Sequence, residues 1–273
     1  MGNWAKSAYG QESFAGIGIV VAGTSNKEFE KKTISKFDKL ISSKDKVYHA
    51  NLVEKNKIVY PLVFNIYGAS AMVDVLAEMH DGGCRNVIFI GYAYGGFKNI
   101  DVGSIVIPDK CYHFDGIYSH IDQNRKIALP DAELKKKIES LFKKSKIKFQ
   151  TGTNISVPAV TFQPKHANED YKKIKPISLE MELASCLSRA KDLGMRTIGI
   201  LIISDNRSHS LNNNAKKSIK ENSKEEVIDL IINNLKELNL KKLKLKKDFS
   251  INEYLASVIE NSEDVTNIYK KKI

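Results

Sequence analysis

Short apolar runs alternate with amphipathic segments along most of the chain. The apolar runs are rich in β-branched residues, which is typical of buried strands. In the segment 69–81, apolar side chains recur at i, i+3, i+4 and i+7, which is the spacing of one helix face. The pattern predicts strands at 16–23, 57–65, 85–91, 103–109 and 196–205, and helices at 24–37, 69–81, 133–145, 181–194 and 224–238.

Glycine, proline and capping residues predict where these elements begin and end. Thr24 or Ser25 is expected to cap the first helix, and Pro108 to stop the fourth strand. The spacing of Ser223 and Glu226 matches a capping box for the last helix. The glycines in GYAYGG (91–96) predict a loop after the third strand.

Strands that alternate with helices indicate an α/β fold with a largely parallel or mixed sheet. The prediction is one domain over residues 16–240, preceded by a loose N-terminal arm (1–15) and followed by a basic C-terminal extension (241–273). No internal repeat interrupts this organisation.

The charge of the chain changes this picture little. The formal net charge is +11, and lysines concentrate in 134–148 and 240–248. Nucleic-acid sites usually combine arginine with stacking aromatics, so solvated lysine faces are expected and a nucleic-acid partner is not. No apolar run approaches the roughly 20 residues that span a bilayer, and no apolar signal core begins the chain, so a cytoplasmic location without membrane contact is expected.

The three cysteines and six histidines show no metal-binding spacing. Cys84, Cys111 and Cys186 lie in apolar stretches, which predicts buried small side chains rather than disulfides. A P-loop, a GxGxxG after the first strand, an HExxH and a nucleophile elbow are all absent from the sequence.

Polar residues gather where predicted strands end, and in such sheets ligands bind at the carboxyl ends of strands. Asp205 ends an apolar strand, where partial desolvation raises a carboxyl pKa and favours proton donation; a loop cap is the alternative. Glu180 and Glu182 are two positions apart and point in different directions. A single carboxylate accepts two hydrogen bonds side by side, which suits the two hydroxyls of a ribose, although acids also simply favour helix N-termini.

The order of the motifs DVGSIVIPD, TFQP, LEMELA and IISD, after a strand that ends in a glycine turn, resembles the family of nucleoside phosphorylases and nucleosidases, which includes uridine phosphorylases, over residues 16–238. The resemblance implies the purine nucleoside phosphorylase fold: one α/β domain with a twisted, mixed, partly barrel-like sheet surrounded by helices. It implies cleavage of the N-glycosidic bond of ribonucleosides with phosphate or water as nucleophile. It also implies no metal or organic cofactor, inorganic phosphate as co-substrate, and a homo-oligomer, either a dimer or a hexamer.

The resemblance also implies roles for ten residues. Asp205 is the expected catalytic proton donor to the base. The other expected contacts are Glu182 and Met181 to the ribose, Phe162, Ser204 and His166 to the base, and Gly23, Lys27, Gly91 and Tyr92 to phosphate.

The expected phosphate site departs from the family pattern. Lys27 and Phe89 stand where the family usually has arginine, and Tyr92 where it usually has serine or threonine. Lys216 or Lys217 stands where purine-specific members have an arginine that partners the aspartate.

The Ser-Asp strand end favours purine over uridine. The sequence therefore predicts phosphorolysis of purine nucleosides to free base and ribose 1-phosphate. Three alternatives stay open: a nucleosidase that uses water, a uridine phosphorylase, and a non-catalytic nucleoside-binding protein.

Overall fold

The computed structural model describes residues 4–23, 26–45, 47–96, 100–159, 167–207 and 214–240. The helices are α1 (Trp4–Tyr9), α2 (Lys27–Ile34), α3 (Ala69–Asp81), α4 (Ile117–Ile121), α5 (Ala132–Lys144), α6 (Ala167–Ile174), α7 (Leu183–Leu193), α8 (Asn214–Asn233) and α9 (Leu235–Leu238). The strands are β1 (Ile17–Ala22), β2 (Lys39–Asp45), β3 (His49–Lys55), β4 (Ile58–Ile66), β5 (Asn86–Gly95), β6 (Ile105–His113), β7 (Ile127–Ala128), β8 (Gln150–Ser156), β9 (Ser178–Glu180) and β10 (Arg196–Asp205).

The described strands form one mixed sheet that partly closes into a barrel. In the order β10-β6-β8-β9-β5, each strand pairs with the next, and β5 also pairs with β10, which closes a ring. From β5 the sheet extends through β1 and β4 to the antiparallel strands β3 and β2. Strands β4, β1, β5 and β10 run parallel, so their carboxyl ends meet at one rim.

Helices cover both faces of this sheet. Buried residues of α1, α3 and α7 pack against one face, and buried residues of α2, α5, α8 and α9 pack against the other. Each helix therefore buries an apolar stripe against β-branched strand residues, as its sequence period requires. The observed architecture confirms the predicted fold class, a single α/β domain with a partly barrel-like mixed sheet.

Elements with clear periodicity lie where the sequence predicts them. The helix at 69–81 and the strand at 196–205 match α3 and β10 residue for residue. The loose arm expected over 1–15 is wrong for its described part, because α1 buries Ala5, Ala8 and Tyr9. The strand pair β2–β3 was not predicted, and the extension 241–273 lies outside the described residues.

Two predicted strand stops are wrong. Strand β5 continues through the glycine-rich segment to Gly95, because this segment pairs with both β10 and β9. Strand β6 continues past Pro108 to His113, and its register with β8 shifts between Pro108 and Lys110. Such a bulge accommodates a proline without ending the strand.

Two predicted helix starts are also wrong. Asn26 caps α2, because its side-chain oxygen accepts hydrogen bonds from the backbone N–H groups of Glu28 (3.0 Å) and Phe29 (3.3 Å); Thr24 and Ser25 lie outside the described residues. Helix α8 already begins at Asn214, so Ser223 lies inside it and donates to the carbonyl oxygen of Ile219 (3.1 Å) rather than forming a capping box.

The three cysteines are buried, as predicted. Burial raises the pKa of each thiol, which keeps it protonated and unreactive at neutral pH. Within the described ranges, no helix combines the length and apolar character that crossing a bilayer requires.

Candidate functional site

The carboxyl ends of the parallel strands bring the predicted site residues to one rim. Asp205 of β10 pairs with Tyr94 of β5, which pairs in turn with Leu179 of β9. Neighbouring strands lie about 4.8 Å apart, so the backbone of Asp205 lies roughly 10 Å from the strand that carries Glu180. The two predicted carboxylate regions therefore lie at one rim of the sheet.

Glu180 lies in β9 rather than in a helix, and its buried side chain is saturated with hydrogen bonds. One oxygen accepts from the side chains of Asn154 (2.7 Å) and Ser156. The other accepts from the backbone N–H groups of Glu182 (2.6 Å) and Leu183 (2.7 Å). This carboxylate thereby satisfies N–H groups at the start of α7, which otherwise have no partner within the helix.

A second layer of hydrogen bonds holds this arrangement. Ser156 Oγ accepts from the backbone N–H of Ala184 (2.8 Å), and Ser178 Oγ donates to Asn154 Oδ1 (2.9 Å). All of these side chains are buried. A fully satisfied polar network of this kind fixes one geometry, because each lost partner would leave a buried polar atom without a hydrogen bond.

Glu182 lies at the junction between β9 and α7 and reaches across to the end of β4. Its carboxylate accepts from the backbone N–H of Gly68 (2.6 Å) and from that of Met181 (3.2 Å). Gly68 adopts a positive φ of 88°, a conformation that favours glycine. Gly23 lies at the same rim, because its N–H donates to the carbonyl oxygen of Ile66 (2.9 Å), two residues before Gly68.

The two buried glutamates influence each other. Burial and the neighbouring Glu180 charge raise the pKa of Glu182 to about 8. Burial also raises the pKa of Glu180, but its four donors oppose this effect. Because Glu182 has fewer donors, less opposes the rise of its pKa, and its neutral form is favoured more than that of Glu180. A protonated Glu182 both donates and accepts, which suits a pair of sugar hydroxyls.

Asp205 is half-buried and is held by Ser204. Ser204 Oγ donates to Asp205 Oδ1 (2.5 Å) and also lies 3.3 Å from the carbonyl oxygen of Ala93. Burial raises the pKa of Asp205, while the Ser204 hydrogen bond and the charge of Lys220 oppose this shift. A raised pKa favours a carboxyl group that keeps its proton for donation.

The lysine that acts on Asp205 is Lys220 of α8, one helical turn beyond the expected Lys216 or Lys217. The sequence did not reveal it, because the helix begins earlier than predicted and its lysines are closely spaced. Only the packing of α8 against β10 determines which of these lysines lies near Asp205.

The expected phosphate side has a different character. Phe89 is buried in the core, and a Cβ on Gly91 would lie 2.8 Å from the Phe89 ring, so both positions are committed to packing. Lys27 is exposed at the first position of α2. Gly23 has a positive φ of 66° with open space beside it.

Tyr92 and Lys224 occupy the rim between Gly23 and Asp205. Tyr92 is largely buried, and the Lys224 ammonium lies 4.2 Å from the centroid of its ring. Lys224 itself is fully buried, and burial lowers its pKa to about 7. Lys224 begins the helix predicted at 224–238, and no feature of the sequence distinguishes it from an exposed lysine.

Two of the expected base contacts, Phe162 and His166, lie outside the described residues. Met181 is buried in a small apolar cluster with Ile155, Val157 and Tyr171, next to Glu182 in the chain. Across the part of the chain that the structure describes, His, Cys, Asp and Glu form no group that could hold a metal ion.

An open groove of about 840 Å³ is lined by residues that include Gly103, Ser104, Gln150 and Ser223. Gly103 donates its backbone N–H to Ile203 of β10, and Ser104 accepts the N–H of Ile203. One end of this groove therefore lies near the strand end that carries Asp205, whereas Gln150 begins β8, far from Ser156 of the glutamate network.

Comparison with known proteins agrees with this fold. A family model described as the phosphorylase superfamily matches residues 24–238. Among solved structures, a uridine phosphorylase from Vibrio fischeri, complexed with 6-hydroxy-1-naphthoic acid, has a TM-score of 0.70 at 15% identity, over 81% of this chain and 91% of that one.

Two further structures are similar. The Campylobacter jejuni 5'-methylthioadenosine/S-adenosyl homocysteine nucleosidase has a TM-score of 0.68 at 14% identity, over 81% of this chain and 100% of that one. The Plasmodium knowlesi homologue of P. falciparum PNP has a TM-score of 0.66 at 17% identity, over 82% and 90%. At such identities the likeness shows the fold and leaves the reaction open.

Proposed function

The chain belongs to the phosphorylase superfamily, a superfamily of nucleoside phosphorylases and nucleosidases, and we propose that it cleaves the N-glycosidic bond of purine nucleosides by phosphorolysis. The observation that carries this proposal is the common rim of Glu182 and Asp205, which β5 links through the pairs Asp205–Tyr94 and Tyr94–Leu179. In this proposal the rim brings together a carboxyl group that binds the ribose diol and a carboxyl group that donates a proton.

In this proposal Glu182 grips the ribose 2′ and 3′ hydroxyls, and Met181 packs beside the sugar. The network around Glu180 positions Glu182, because its carboxylate receives the Glu182 N–H at 2.6 Å. A sugar held in one orientation leaves its anomeric carbon open to a nucleophile, which lowers the entropic part of the barrier.

Asp205 acts on the leaving base. As the bond between C1′ and the base nitrogen breaks, the bonding electrons move to the base, and Asp205 donates a proton to it. A phosphate oxygen forms the new bond to C1′, which gives ribose 1-phosphate. The proton that phosphate loses restores Asp205, so no net proton is consumed. We propose that Ser204 orients Asp205, through its 2.5 Å hydrogen bond, and that Phe162 and His166 contact the base.

The preference for purines is supported by the Ser204–Asp205 strand end, where a carboxyl group with a raised pKa is suited to protonating a purine. We also propose that the reaction needs no metal or organic cofactor and that the protein works as a cytoplasmic homo-oligomer. Size-exclusion chromatography with light scattering tests the assembly.

The test of the reaction is release of free base from inosine, adenosine, methylthioadenosine and uridine, with and without inorganic phosphate, measured by liquid chromatography. We expect release from purine nucleosides that depends on phosphate and yields ribose 1-phosphate. Faster release from uridine than from every purine nucleoside would contradict the substrate assignment, and no release from any nucleoside would contradict the activity.

Hydrolysis is the second candidate, and one observation favours it. Phe89 is buried in the core where phosphorylases usually carry an arginine. A rim that lacks this arginine binds phosphate less strongly, which suits water as nucleophile. Purine release at the same rate without phosphate, with ribose as product, would replace phosphorolysis by hydrolysis.

A further inference from the structure

A buried carboxyl group on the loop after β6 contacts the first turn of α7. The Asp115 side chain is only 1% exposed, and its Oδ2 accepts a hydrogen bond from the hydroxyl of Ser185 (2.7 Å), which is fully buried. Its Oδ1 accepts from the backbone N–H of Ile117 (3.3 Å) in its own loop. Asp115 therefore ties α7 to a fixed point beyond the end of β6.

His113, the last residue of β6, strengthens this connection. Its Nε2 lies 2.8 Å from the hydroxyl oxygen of Ser188, and its Nδ1 lies 3.5 Å from Asp115 Oδ2. Ser185 and Ser188 are three residues apart, so they lie on the same face of the helix. Two buried hydroxyl groups of α7 are thus held by the short segment 113–115.

The turn that Asp115 holds is the one that begins with Glu182. Glu182 is the N-cap residue of α7, and its carbonyl oxygen accepts the N–H of Cys186 (2.9 Å), the residue after Ser185. The Glu182 side chain does not cap the helix but reaches Gly68 (2.6 Å). The backbone position of Glu182 therefore follows the position of the first helical turn.

Two other elements hold the same turn through its backbone. Glu180 of β9 and Ser156 of β8 accept hydrogen bonds from N–H groups of this turn, at 2.7 and 2.8 Å. Asp115 adds an anchor from the far side of β8, since β6 pairs with β8. A displacement of about 1 Å in a group that orients a substrate can cost about 100-fold in rate, so such anchors matter.

We infer that Asp115 is a positioning residue that makes the site selective for ribonucleosides over 2′-deoxyribonucleosides, because it sets where the Glu182 carboxyl group meets the sugar. The inference rests on the proposed function, in which Glu182 grips the 2′ and 3′ hydroxyls. A ribonucleoside presents two hydroxyls, which only an accurately placed carboxyl group can bind together. A 2′-deoxynucleoside presents one of them and tolerates a displaced carboxyl group better.

The other end of α7 carries an anchor that serves as a matched control. Asp192 accepts hydrogen bonds from Arg125 (2.7 and 2.8 Å) and from the hydroxyl of Tyr118 (2.9 Å). It lies near the end of the helix, roughly 15 Å along the axis from Glu182. The loss of this carboxyl group should loosen the same helix without displacing Glu182.

The test compares kcat/KM for inosine and for 2′-deoxyinosine, in the presence of phosphate, among the full-length wild type, Asp115→Ala and Ser185→Ala. Chemical denaturation identifies conditions in which each variant is folded. In both variants we expect kcat/KM for inosine to fall about tenfold and that for 2′-deoxyinosine to change less than about twofold. Asp192→Ala should lower stability and keep the ratio of the two values. Asp115→Asn, whose amide oxygen still accepts from Ser185, should restore most of the selectivity.

Two results would overturn the inference while inosine turnover by the wild type keeps the proposed function: an unchanged ratio in both Asp115→Ala and Ser185→Ala, or an equal loss of selectivity in Asp192→Ala. A wild type that uses both nucleosides equally well rejects the ribose contact of Glu182 together with this inference and keeps the activity. A wild type that neither turns over inosine nor binds it in calorimetry rejects the proposed function and this inference with it.

Discussion

At the rim of the sheet, the proposed ribose side and the proposed nucleophile side use opposite kinds of interaction. On the ribose side, Glu180 is surrounded by four donors, and Glu182 is held by two backbone N–H groups. On the nucleophile side, Lys224 lies against aromatic rings and one carbonyl oxygen. The first arrangement supplies hydrogen bonds to its buried carboxyl groups, whereas burial of Lys224 disfavours the charged form of its ammonium group.

The two sides therefore differ in how the loss of a single side chain should affect the stability of the fold. A residue of the glutamate network serves folding and ligand orientation together, so its loss harms both. Burial of Lys224 disfavours its charged form, so the loss of this side chain is expected to benefit stability. Four substitutions measure this contrast, beginning with the largest expected effect.

Asp205→Asn is expected to lower purine turnover about 100-fold or more, because it removes the proton donor while keeping a similar shape. Steady-state kinetics at several pH values measure this effect. Asp45→Asn, at an exposed carboxyl group on β2, is the control and is expected to change nothing. Turnover within a few-fold of the wild type would remove Asp205 from the mechanism and leave the shared rim without a catalytic acid.

Glu180→Ala is expected to destabilise the protein by roughly 2–4 kcal/mol, because it leaves several buried donors without an acceptor. Chemical denaturation measures this loss, and exposed Glu237→Ala on α9 is the control. Glu180→Gln provides a second readout: removal of the negative charge should lower the pKa of Glu182 and shift the pH dependence of nucleoside KM. Unchanged stability of the alanine variant would contradict the structural role.

Lys224→Met is expected to stabilise the protein by roughly 2–5 kcal/mol near neutral pH, because it removes a buried charge. The folded pKa of Lys224, about 7, lies below its ordinary value of 10.5. Between these values the unfolded chain binds the proton and the folded chain does not, so wild-type stability rises with pH. The advantage of the variant should therefore be largest below pH 7 and shrink towards pH 10.5.

Denaturation of both proteins across this pH range tests the sign, with Lys144→Met as the control. A variant that is less stable than the wild type at pH 7 would show that Lys224 holds the fold together. The two sides of the crevice would then not differ in the way described above.

Lys220→Met has the smallest expected effect, on pH dependence rather than rate. Lys220 lowers the pKa of Asp205, so its removal should raise that pKa. The alkaline limit of turnover should move to higher pH by less than about one unit, because Lys220 is partly exposed to solvent. A pH–rate profile measures the shift, and a limit that moves to lower pH would contradict the assignment.

The sequence predicted those parts of the fold whose patterns are local. Helix α3 and strand β10 were placed to the residue, because their periodicity and end signals agree. The strand pair β2–β3 escaped notice because β2 is polar and largely exposed. The strand ends predicted at Pro108 and Gly91 were wrong, because pairing with neighbouring strands outweighed the local tendency of these residues to end a strand.

The sequence named the carboxyl groups of the candidate site, whose roles stay predictions, but not the residues that hold them in place. Glu182 and Asp205 belong to motifs, so they were recognised, and the structure brings their strands together. The partners Asn154 and Ser156 lie more than twenty residues before Glu180, and no local signal connects them. Lys224 sits in a lysine-rich segment, where only tertiary packing distinguishes a buried lysine from an exposed one.

The continuity of β5 through GYAYG has a consequence for how this site changes over evolution. Side chains on a paired strand alternate between faces, so replacing one residue alters the chemistry of one face and leaves the backbone path intact. Inserting a residue would reverse the facing of every position that follows, including Tyr94 beside Asp205. A single substitution in this segment is therefore expected to change one face of the site, and a single insertion to disturb all of it.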